Sequence, residues 1–183
     1  MARTGVILSS ASPQRKAILE QLGVQFRVEV PEVEELVDGD PHQVVLENAL
    51  MKARSVAGDT VLAADTAVVL DGQVFGKPAD RAAAERFLRA LSGRTHEVLT
   101  GIAVVTGGDE RSDVAATRVR FRELDQGELD WYLGTEEWRD RAGGYAIQGR
   151  GAALVDSIEG DYWNVVGLPV AALLRLMPDL LRG

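Results

Sequence analysis

The chain contains no cysteine and no long run of apolar residues, and each of these absences excludes a class of protein. Without cysteine there is no disulfide framework, no thiolate metal site and no cysteine nucleophile, which fits a cytoplasmic setting. The longest apolar run near the C-terminus, residues 165–174, is about half the length of a membrane span. The apolar run Val6–Leu8 is too short for a signal peptide, so we expect no membrane contact.

Positive charge is also scarce. The 183 residues include 20 Lys and Arg against 28 Asp and Glu, which gives a net charge of −8. A surface of that sign disfavours nucleic acid and anionic membranes as partners, so an anionic ligand would need cations gathered locally. Only three of the basic residues are lysines, Lys16, Lys52 and Lys77. A compact, rotatable ammonium in a tight phosphate site is one reason to prefer Lys over Arg.

A chain of this length predicts one domain over residues 1–183, with room for two lobes, and it is long enough to bury a core. Apolar runs and capped amphipathic segments along the chain predict an α/β protein, and one of these segments is a helix that Asp80 caps and that runs through Leu91. Near the C-terminus we predict strands over Ala152–Ile158 and Tyr162–Val166, and then an apolar helix from Pro169 to Met177.

The first candidate site is the stretch from Val6 to Arg15. It predicts a buried strand and a hydroxyl-rich turn, followed by a helix that Ser12 caps and in which Pro13 is the first residue. Ser9 and Ser12 then lie at a helix N-terminus, where free N–H groups and the helix dipole favour a phosphate. Arg15 can add a bidentate contact. An ordinary capped turn is the alternative interpretation.

A second helix is predicted from Asp40-Pro41 to about Ala57, and on it Asn48 and Lys52 share a face because they are four residues apart. The acidic stretch 31–35 precedes this helix on a loop. Most of its carboxylates are expected to be solvated, and one of them could face the site.

Asp65 interrupts the apolar strand Val61–Leu70, and a buried carboxylate without a partner is costly. Asp65 therefore either caps a bend or holds a metal, a water or a basic side chain. Further on, Gly72–Lys77 reads G-x-x-x-G-K but is not a P-loop, because it is one residue short and is followed by Pro78. We interpret Lys77 as a single fixed cation on a rigid corner.

Several short motifs, taken together and in order, resemble the Maf family of nucleoside triphosphate pyrophosphatases over nearly the whole chain. The resemblance implies an elongated mixed β-sheet flanked by helices, with two lobes and a central cleft, similar to the inosine triphosphate pyrophosphatase fold. It also implies a divalent cation (Mg or Mn), a homodimer and a cytoplasmic location. The motifs are Ser9-x-x-Ser12-x-x-Arg15, Glu35, Lys52, Ala64-Asp65-Thr66, Gly76-Lys77-Pro78, Ser92-Gly93-Arg94-Thr95-His96, Tyr145-Ala146-Ile147-Gln148-Gly149 and Tyr162-x-x-Val165-Val166-Gly167-Leu168-Pro169.

The resemblance also implies roles for single residues in hydrolysis between the α and β phosphates. Asp65 would take the proton from the attacking water or bind the metal, and Glu35 would be a second carboxylate facing the metal. The choice of Glu35 over its acidic neighbours comes from the resemblance alone. The phosphate oxygens would be bound by Ser9, Ser12, Arg15, Lys52 and Lys77.

The base preference rests on three positions. Thr66 and Gln148 resemble the branch of the family that is selective for dTTP and UTP, rather than the branch for 7-methyl-GTP. The amide of Gln148 offers a donor and an acceptor, which can match a pyrimidine edge. Gln14 departs from the pattern, since the dTTP/UTP branch often has Arg there.

Three other functions stay open on the sequence. The protein could hydrolyse 7-methyl-GTP or inosine-type nucleotides on the same fold. It could instead bind nucleotides as a regulator of cell division, without turnover and without dependence on Asp65. A purely structural α/β domain would leave the buried Asp65 and the two lysines, Lys52 and Lys77, as coincidences.

Overall fold

The structure is a computed structural model that describes residues 5–182. It confirms the predicted α/β class, with a mixed sheet of seven strands and helices that flank it. Among the described residues, no helix is both long and apolar enough to cross a bilayer. The strands are β1 (Val6–Ser9), β2 (Phe26–Glu29), β3 (Thr60–Leu70), β4 (Gln73–Phe75), β5 (Thr95–Thr106), β6 (Asp109–Phe121) and β7 (Val155–Glu159). The helices are α1 (Pro13–Gln21), α2 (Pro41–Arg54), α3 (Arg81–Leu91), α4 (Gln126–Gly134), α5 (Tyr162–Val166) and α6 (Val170–Leu176).

The strand order in the sheet is β2-β1-β3-β5-β6-β7, and β4 pairs with β3. β1 is parallel to both β2 and β3, whereas the β3–β4 and β6–β7 pairs are antiparallel. Each parallel connection passes through a helix, α1 or α2, as parallel strands require.

The residues fall into two compact units. The first unit contains residues 1–65, 100–115 and 167–183, and the second contains residues 66–99 and 116–166. The prediction of one domain over the whole chain stays a prediction, as does the central cleft.

In the first unit, α2 packs on the sheet through small side chains. Ala49 and Ala53 of α2 lie against Ile7, Val61 and Ala103, and all five residues are buried. The predicted cap holds the start of this helix, because the Asp40 carboxylate accepts the backbone N–H of Gln43 at 3.1 Å.

The second unit has the larger aromatic core. Phe75, Phe121, Tyr132, Trp138 and Tyr145 are buried there among leucines of α3 and α4. The predicted helix α3 begins as expected, since the Asp80 carboxylate accepts the N–H of Ala83 at 2.7 Å.

The predicted strand over Tyr162–Val166 is wrong, because these residues form helix α5. Asp161 starts the helix by accepting the backbone N–H groups of Trp163 and Asn164. Asn164 is fully buried and donates to the Val98 carbonyl and the Thr117 hydroxyl, each at 3.0 Å. The cap and these distant partners override the β-propensity of the aromatic and β-branched residues.

The strand predicted over Ala152–Ile158 begins later, at Val155. Residues Arg150–Leu154 form a 3₁₀ turn instead. Glu137 accepts the backbone N–H groups of Arg150 and Gly151 at 3.1 and 3.3 Å, and this turns the chain away from an extended path.

Gly101 of β5 allows a close approach of helix α2. A β-carbon at this position would overlap the backbone carbonyl of Val45 and crowd the amide nitrogen of Leu46. The contact is between backbones, so no side-chain rotation relieves it. Glycine at 101 therefore fixes how closely α2 packs on the sheet.

We expect Gly101→Ala to lower the free energy of unfolding by about 1–3 kcal/mol or more, the usual cost of overpacking a core. Urea unfolding monitored by circular dichroism measures the change. Gly134→Ala is the matched control, because Gly134 ends α4 with no neighbour within 4 Å of an added β-carbon. Equal stability of the two variants would contradict the assigned contact.

His96 is buried in the second unit against two aromatic rings. Its Nε2 lies 2.7 Å from the Tyr145 hydroxyl, and its ring meets those of Phe121 and Tyr145 edge to face. Among the described residues, its Nδ1 has no hydrogen-bond partner. Burial lowers the pKa of His96 from 6.5 to about 4, so the imidazole is neutral at pH 7.

We expect this histidine to make stability depend on pH. An unfolded histidine takes up a proton as the pH falls through 6.5, whereas the native one does so only near pH 4. The contribution of His96 is therefore complete above pH 6.5, and between pH 6.5 and 4 it declines by about 3 kcal/mol. Urea unfolding from pH 7.5 to 4.5 should show a shallower slope for His96→Gln than for wild type. His42→Gln, at an exposed histidine, should keep the wild-type slope.

Candidate functional site

Two connections of the first unit and residue Asp65 of β3 lie at one edge of the sheet, and the parallel register explains why. Ser9, the last residue of β1, pairs with Glu29 at the end of β2 and with Ala63 of β3. Asp65 therefore lies two residues beyond the point where β1 stops. The chain leaving β1 starts α1, and the chain leaving β2 is the acidic loop. Ligands of open α/β sheets bind at such carboxyl ends.

The turn into α1 has the predicted cap and an additional hydroxyl contact. The Ser12 hydroxyl accepts the backbone N–H of Arg15 at 3.4 Å and donates to the Gln14 side-chain oxygen at 3.0 Å. The Ser10 hydroxyl accepts the N–H of Ser12 at 3.1 Å. Ser10 belongs to the hydroxyl-rich turn that the sequence predicts, although sequence reasoning assigns no role to it.

The hydroxyl of Ser9 has a structural contact. It is buried and donates to the backbone carbonyl of Lys52 at 2.8 Å, which ties α2 to the end of β1. A phosphate oxygen accepts hydrogen bonds but does not donate them, so Ser9 would have to release Lys52 to bind one. Its predicted role in phosphate binding stays a prediction.

Arg15 is buried and held by two hydrogen bonds. Its Nε donates to the Gly167 carbonyl at 2.8 Å, and its Nη1 donates to the Ser10 hydroxyl at 3.2 Å. Burial lowers the pKa of the Arg15 guanidinium, and the negative charges of Asp65 and Glu35 oppose that shift. Asp65 and Glu35 therefore lie close enough to Arg15 for their charges to act on it.

Lys52 joins two of the predicted carboxylates. Its ammonium lies 2.9 Å from Asp65 Oδ1 and 2.9 Å from Glu35 Oε1. The Lys52 side chain is 8% exposed and that of Asp65 is 14% exposed, whereas that of Glu35 is 49% exposed. The buried pair is therefore the stronger interaction, because solvent screens the exposed carboxylate. The sequence left open whether Asp65 caps a bend or holds a metal, a water or a basic side chain, and in the structure it binds a basic side chain, that of Lys52.

The other oxygen of Asp65 is bound by Asn48. Asn48 Nδ2 donates to Asp65 Oδ2 at 3.0 Å and to the Leu36 carbonyl at 3.0 Å, and Asn48 Oδ1 accepts the Leu36 N–H at 2.7 Å. Sequence periodicity places Asn48 on the same helix face as Lys52 but does not explain why this residue is an asparagine. The explanation is its contact with Leu36 in the acidic loop, which periodicity cannot predict.

The carboxylates fit the divalent cation that the sequence resemblance implies. Among residues 5–182, no group of three or more His, Asp and Glu could hold a metal by itself. Mg²⁺, however, is usually held by one or two carboxylates together with phosphate oxygens and water. Glu35 and Asp65 supply two carboxylates that already share one cation, the Lys52 ammonium.

Three predicted site residues, Thr66, Lys77 and Gln148, belong to the second unit. Thr66 follows Asp65 directly in β3 and is partly buried. Lys77 and Gln148 are exposed. Within the described part of the chain, Lys77 forms no ion pair, so its charge is available to an anion.

The loop that carries Gln148 is fixed at both ends within the second unit. The Tyr132 hydroxyl accepts the Ala146 N–H at 2.9 Å, and Glu137 accepts two backbone N–H groups just after Gly149. Sequence reasoning missed Glu137, since only the folded chain brings its carboxylate to these amides.

Comparison with known proteins gives a consistent result. A sequence model of the family described as Maf-like protein matches residues 5–180. A protein of Symbiobacterium thermophilum named dTTP/UTP pyrophosphatase is 51% identical over 178 residues, which cover 94% of this chain and 92% of that protein. Proteins of the same name from Pyrococcus furiosus and Deinococcus radiodurans are 44% and 46% identical over 178 and 177 residues. Each alignment covers 94% of this chain, with 93% and 91% of those two proteins.

A double-mutant cycle tests the two ion pairs of Lys52. For Lys52→Met with Asp65→Asn we expect a coupling of about 1–3 kcal/mol in the free energy of unfolding, because both side chains of this pair are largely buried and solvent screens their attraction little. The same cycle with Glu35→Gln should give less than about 1 kcal/mol, since Glu35 is half exposed. Urea unfolding in buffer with a chelator measures both. Equal couplings would contradict the different burial of the two pairs.

Proposed function

Because this chain belongs to the Maf family, we propose that it is a nucleoside triphosphate pyrophosphatase that hydrolyses dTTP and UTP to the nucleoside monophosphate and pyrophosphate. One observation supports this most directly. The carboxylate of Asp65 lies beside the Lys52 ammonium at the strand edge where α1 begins. The residues that we propose for phosphate binding and for the general base thus lie at the same edge, which supports the proposal.

The triphosphate needs its charge neutralised before an anionic or neutral oxygen can attack it. We assign this role to Arg15, Lys52 and Lys77, together with the backbone N–H groups at the start of α1. Ser12 orders that helix start, and Ser9 holds the backbone of Lys52.

Asp65 is assigned as the general base. It accepts a proton from water as the water oxygen attacks the α-phosphorus. A new P–O bond forms, the bond from the α-phosphorus to the bridging oxygen breaks, and pyrophosphate leaves. The two carboxylate oxygens of Asp65 have capacity for this hydrogen bond, since each has two lone pairs and is shown with one partner among the described residues.

A divalent cation, Mg²⁺ or Mn²⁺, is part of the proposal, with Glu35 and Asp65 as its protein ligands. When bound, such an ion stabilises negative charge on the phosphate oxygens and lowers the pKa of a coordinated water. Glu35 is suited to this role because its exposed carboxylate can turn toward an incoming ion.

We assign recognition of the nucleotide base to Gln148, Thr66 and Gln14. The amide of Gln148 is exposed on a loop that Tyr132 and Glu137 hold in place. The donor and the acceptor of this amide can match a uracil or thymine edge. The Gln14 side chain accepts a hydrogen bond from Ser12 at the start of α1, next to the proposed phosphate site. A change at this position is therefore suited to alter which nucleotide is preferred.

The remaining parts of the proposal concern the setting of the enzyme. We propose a homodimer in the cytoplasm that binds neither nucleic acid nor a membrane. The net charge of −8 supports the last two points, because anionic polymers and surfaces repel such a protein.

Pyrophosphate release from dTTP, UTP, CTP, 7-methyl-GTP and ITP, with Mg²⁺ or Mn²⁺, tests the proposal. We expect turnover of dTTP and UTP above the others. Asp65→Asn should lower kcat at least about a hundredfold, the usual contribution of a general base. Nucleotide binding, measured by calorimetry, should survive in this variant because its cations remain.

Asp109→Asn is the matched control, since Asp109 is an exposed carboxylate at the start of β6 and has no role in the proposal. Its turnover should equal that of the wild type. Binding without turnover by folded wild type would favour the regulator instead. Preference for 7-methyl-GTP or ITP would replace the assigned substrate but keep the reaction.

A further inference from the structure

Asn48 lies one helical turn before Lys52 on α2, and its side chain is almost fully buried, with 2% of the residue exposed. Within residues 5–182, the side-chain amide of Asn48 forms three hydrogen bonds, two with Leu36 and one with Asp65. Leu36 follows Glu35 directly in the acidic loop. One amide group thus contacts both chain segments that carry the predicted metal-facing carboxylates.

The chemistry of these partners fixes the orientation of the amide. The Leu36 N–H can only donate, so Asn48 Oδ1 must face it. The Leu36 carbonyl and the Asp65 carboxylate only accept, so both N–H bonds of Nδ2 are used. A flipped amide would lose all three bonds, which leaves a single arrangement.

Asp65 is consequently held at both of its oxygens. Lys52 binds Oδ1 at 2.9 Å and Asn48 binds Oδ2 at 3.0 Å, and both partners project from the same helix. A single contact would let the carboxylate rotate about its own bond, whereas two contacts from one rigid element fix its plane.

The acidic loop depends on the same amide. Residues 30–40 contain no helix or strand, and Leu36 and Val37 are 45% and 81% exposed. Asn48 accepts the N–H of Leu36 and donates to its carbonyl, so both backbone groups of Leu36 are paired as they would be beside a neighbouring strand. This places the preceding residue, Glu35, with its carboxylate 2.9 Å from Lys52.

We infer that Asn48 is a positioning residue for the proposed hydrolysis, which fixes the carboxylate plane of Asp65 and the loop that carries Glu35. This inference rests on the function proposed above. Asn48 does not touch the substrate in this role, and it acts through the two carboxylates.

Two substitutions at Asn48 separate its contacts. Asn48→Ala removes all three hydrogen bonds. Asn48→Asp has nearly the same shape and keeps an acceptor for the Leu36 N–H, but it loses both donated hydrogen bonds, to Asp65 and to the Leu36 carbonyl, and adds a negative charge beside Asp65. Gln43→Ala is the matched control, because Gln43 is an exposed amide in the first turn of the same helix.

Steady-state kinetics with dTTP gives the first readout. We expect kcat to fall about tenfold to a hundredfold in both Asn48 variants, the usual cost of losing a group that orients a catalytic or ligating residue. KM should stay within about threefold of wild type, because the phosphate-binding cations are unchanged. Circular dichroism of Asn48→Ala and Asn48→Asp at the assay temperature should show the wild-type spectrum, which separates positioning from loss of fold.

Hydrogen exchange of the Leu36 amide, measured by NMR, gives a second readout that does not depend on activity. Exchange should speed up at least about tenfold in Asn48→Ala, because the Leu36 N–H loses the acceptor that protects it. It should stay slow in Asn48→Asp and in Gln43→Ala.

A kcat within threefold of wild type in a folded Asn48 variant would overturn the inference, as would unchanged exchange at Leu36 in Asn48→Ala. Failure of the proposed function is a different result, because the wild type itself would then release no pyrophosphate. The exchange measurement would still decide whether Asn48 holds the acidic loop.

Discussion

Two carboxylates approach one buried ammonium in this protein, and the arrangement of the first unit depends on that contact. Asp65 and Glu35 would repel each other in a partly buried setting without a cation between them. Lys52 supplies the cation, and the Ser9 hydroxyl holds its backbone against the end of β1. The ion pairs therefore connect β1, α2, β3 and the acidic loop.

Helix α2 reaches this position through small residues rather than through large apolar ones. Its alanines lie flat on the sheet, and Gly101 lets its backbone approach β5. Lys52 and Asn48, one turn apart, are then directed at the same carboxylate. The close packing of α2 and the polar contacts depend on each other. If α2 lay further from the sheet, Lys52 and Asn48 would not reach the oxygens of Asp65.

Local rules predicted most of the fold correctly. The caps at Ser12, Asp40 and Asp80 depend on residues within three positions, and all three are confirmed. The strand predicted over Tyr162–Val166 is wrong because its conformation depends on Asn164 and partners more than 40 positions away. The site shows the same difference between local and distant determinants. The position of Asp65 in an apolar strand predicted that its carboxylate has a partner, while only the folded chain identified Lys52 and Asn48 as its partners. The assigned roles of the site residues stay predictions.

The first unit is discontinuous in sequence, and this has a consequence for its synthesis. It consists of residues 1–65, 100–115 and 167–183, so its last segment leaves the ribosome after the whole of the second unit. Arg15, made early, finds its Nε partner only at Gly167. During translation the second unit can therefore collapse around its aromatic core while the guanidinium of Arg15 is still without that partner. The hydrogen bond between Arg15 and Gly167 therefore forms only after the whole of the second unit has been synthesised.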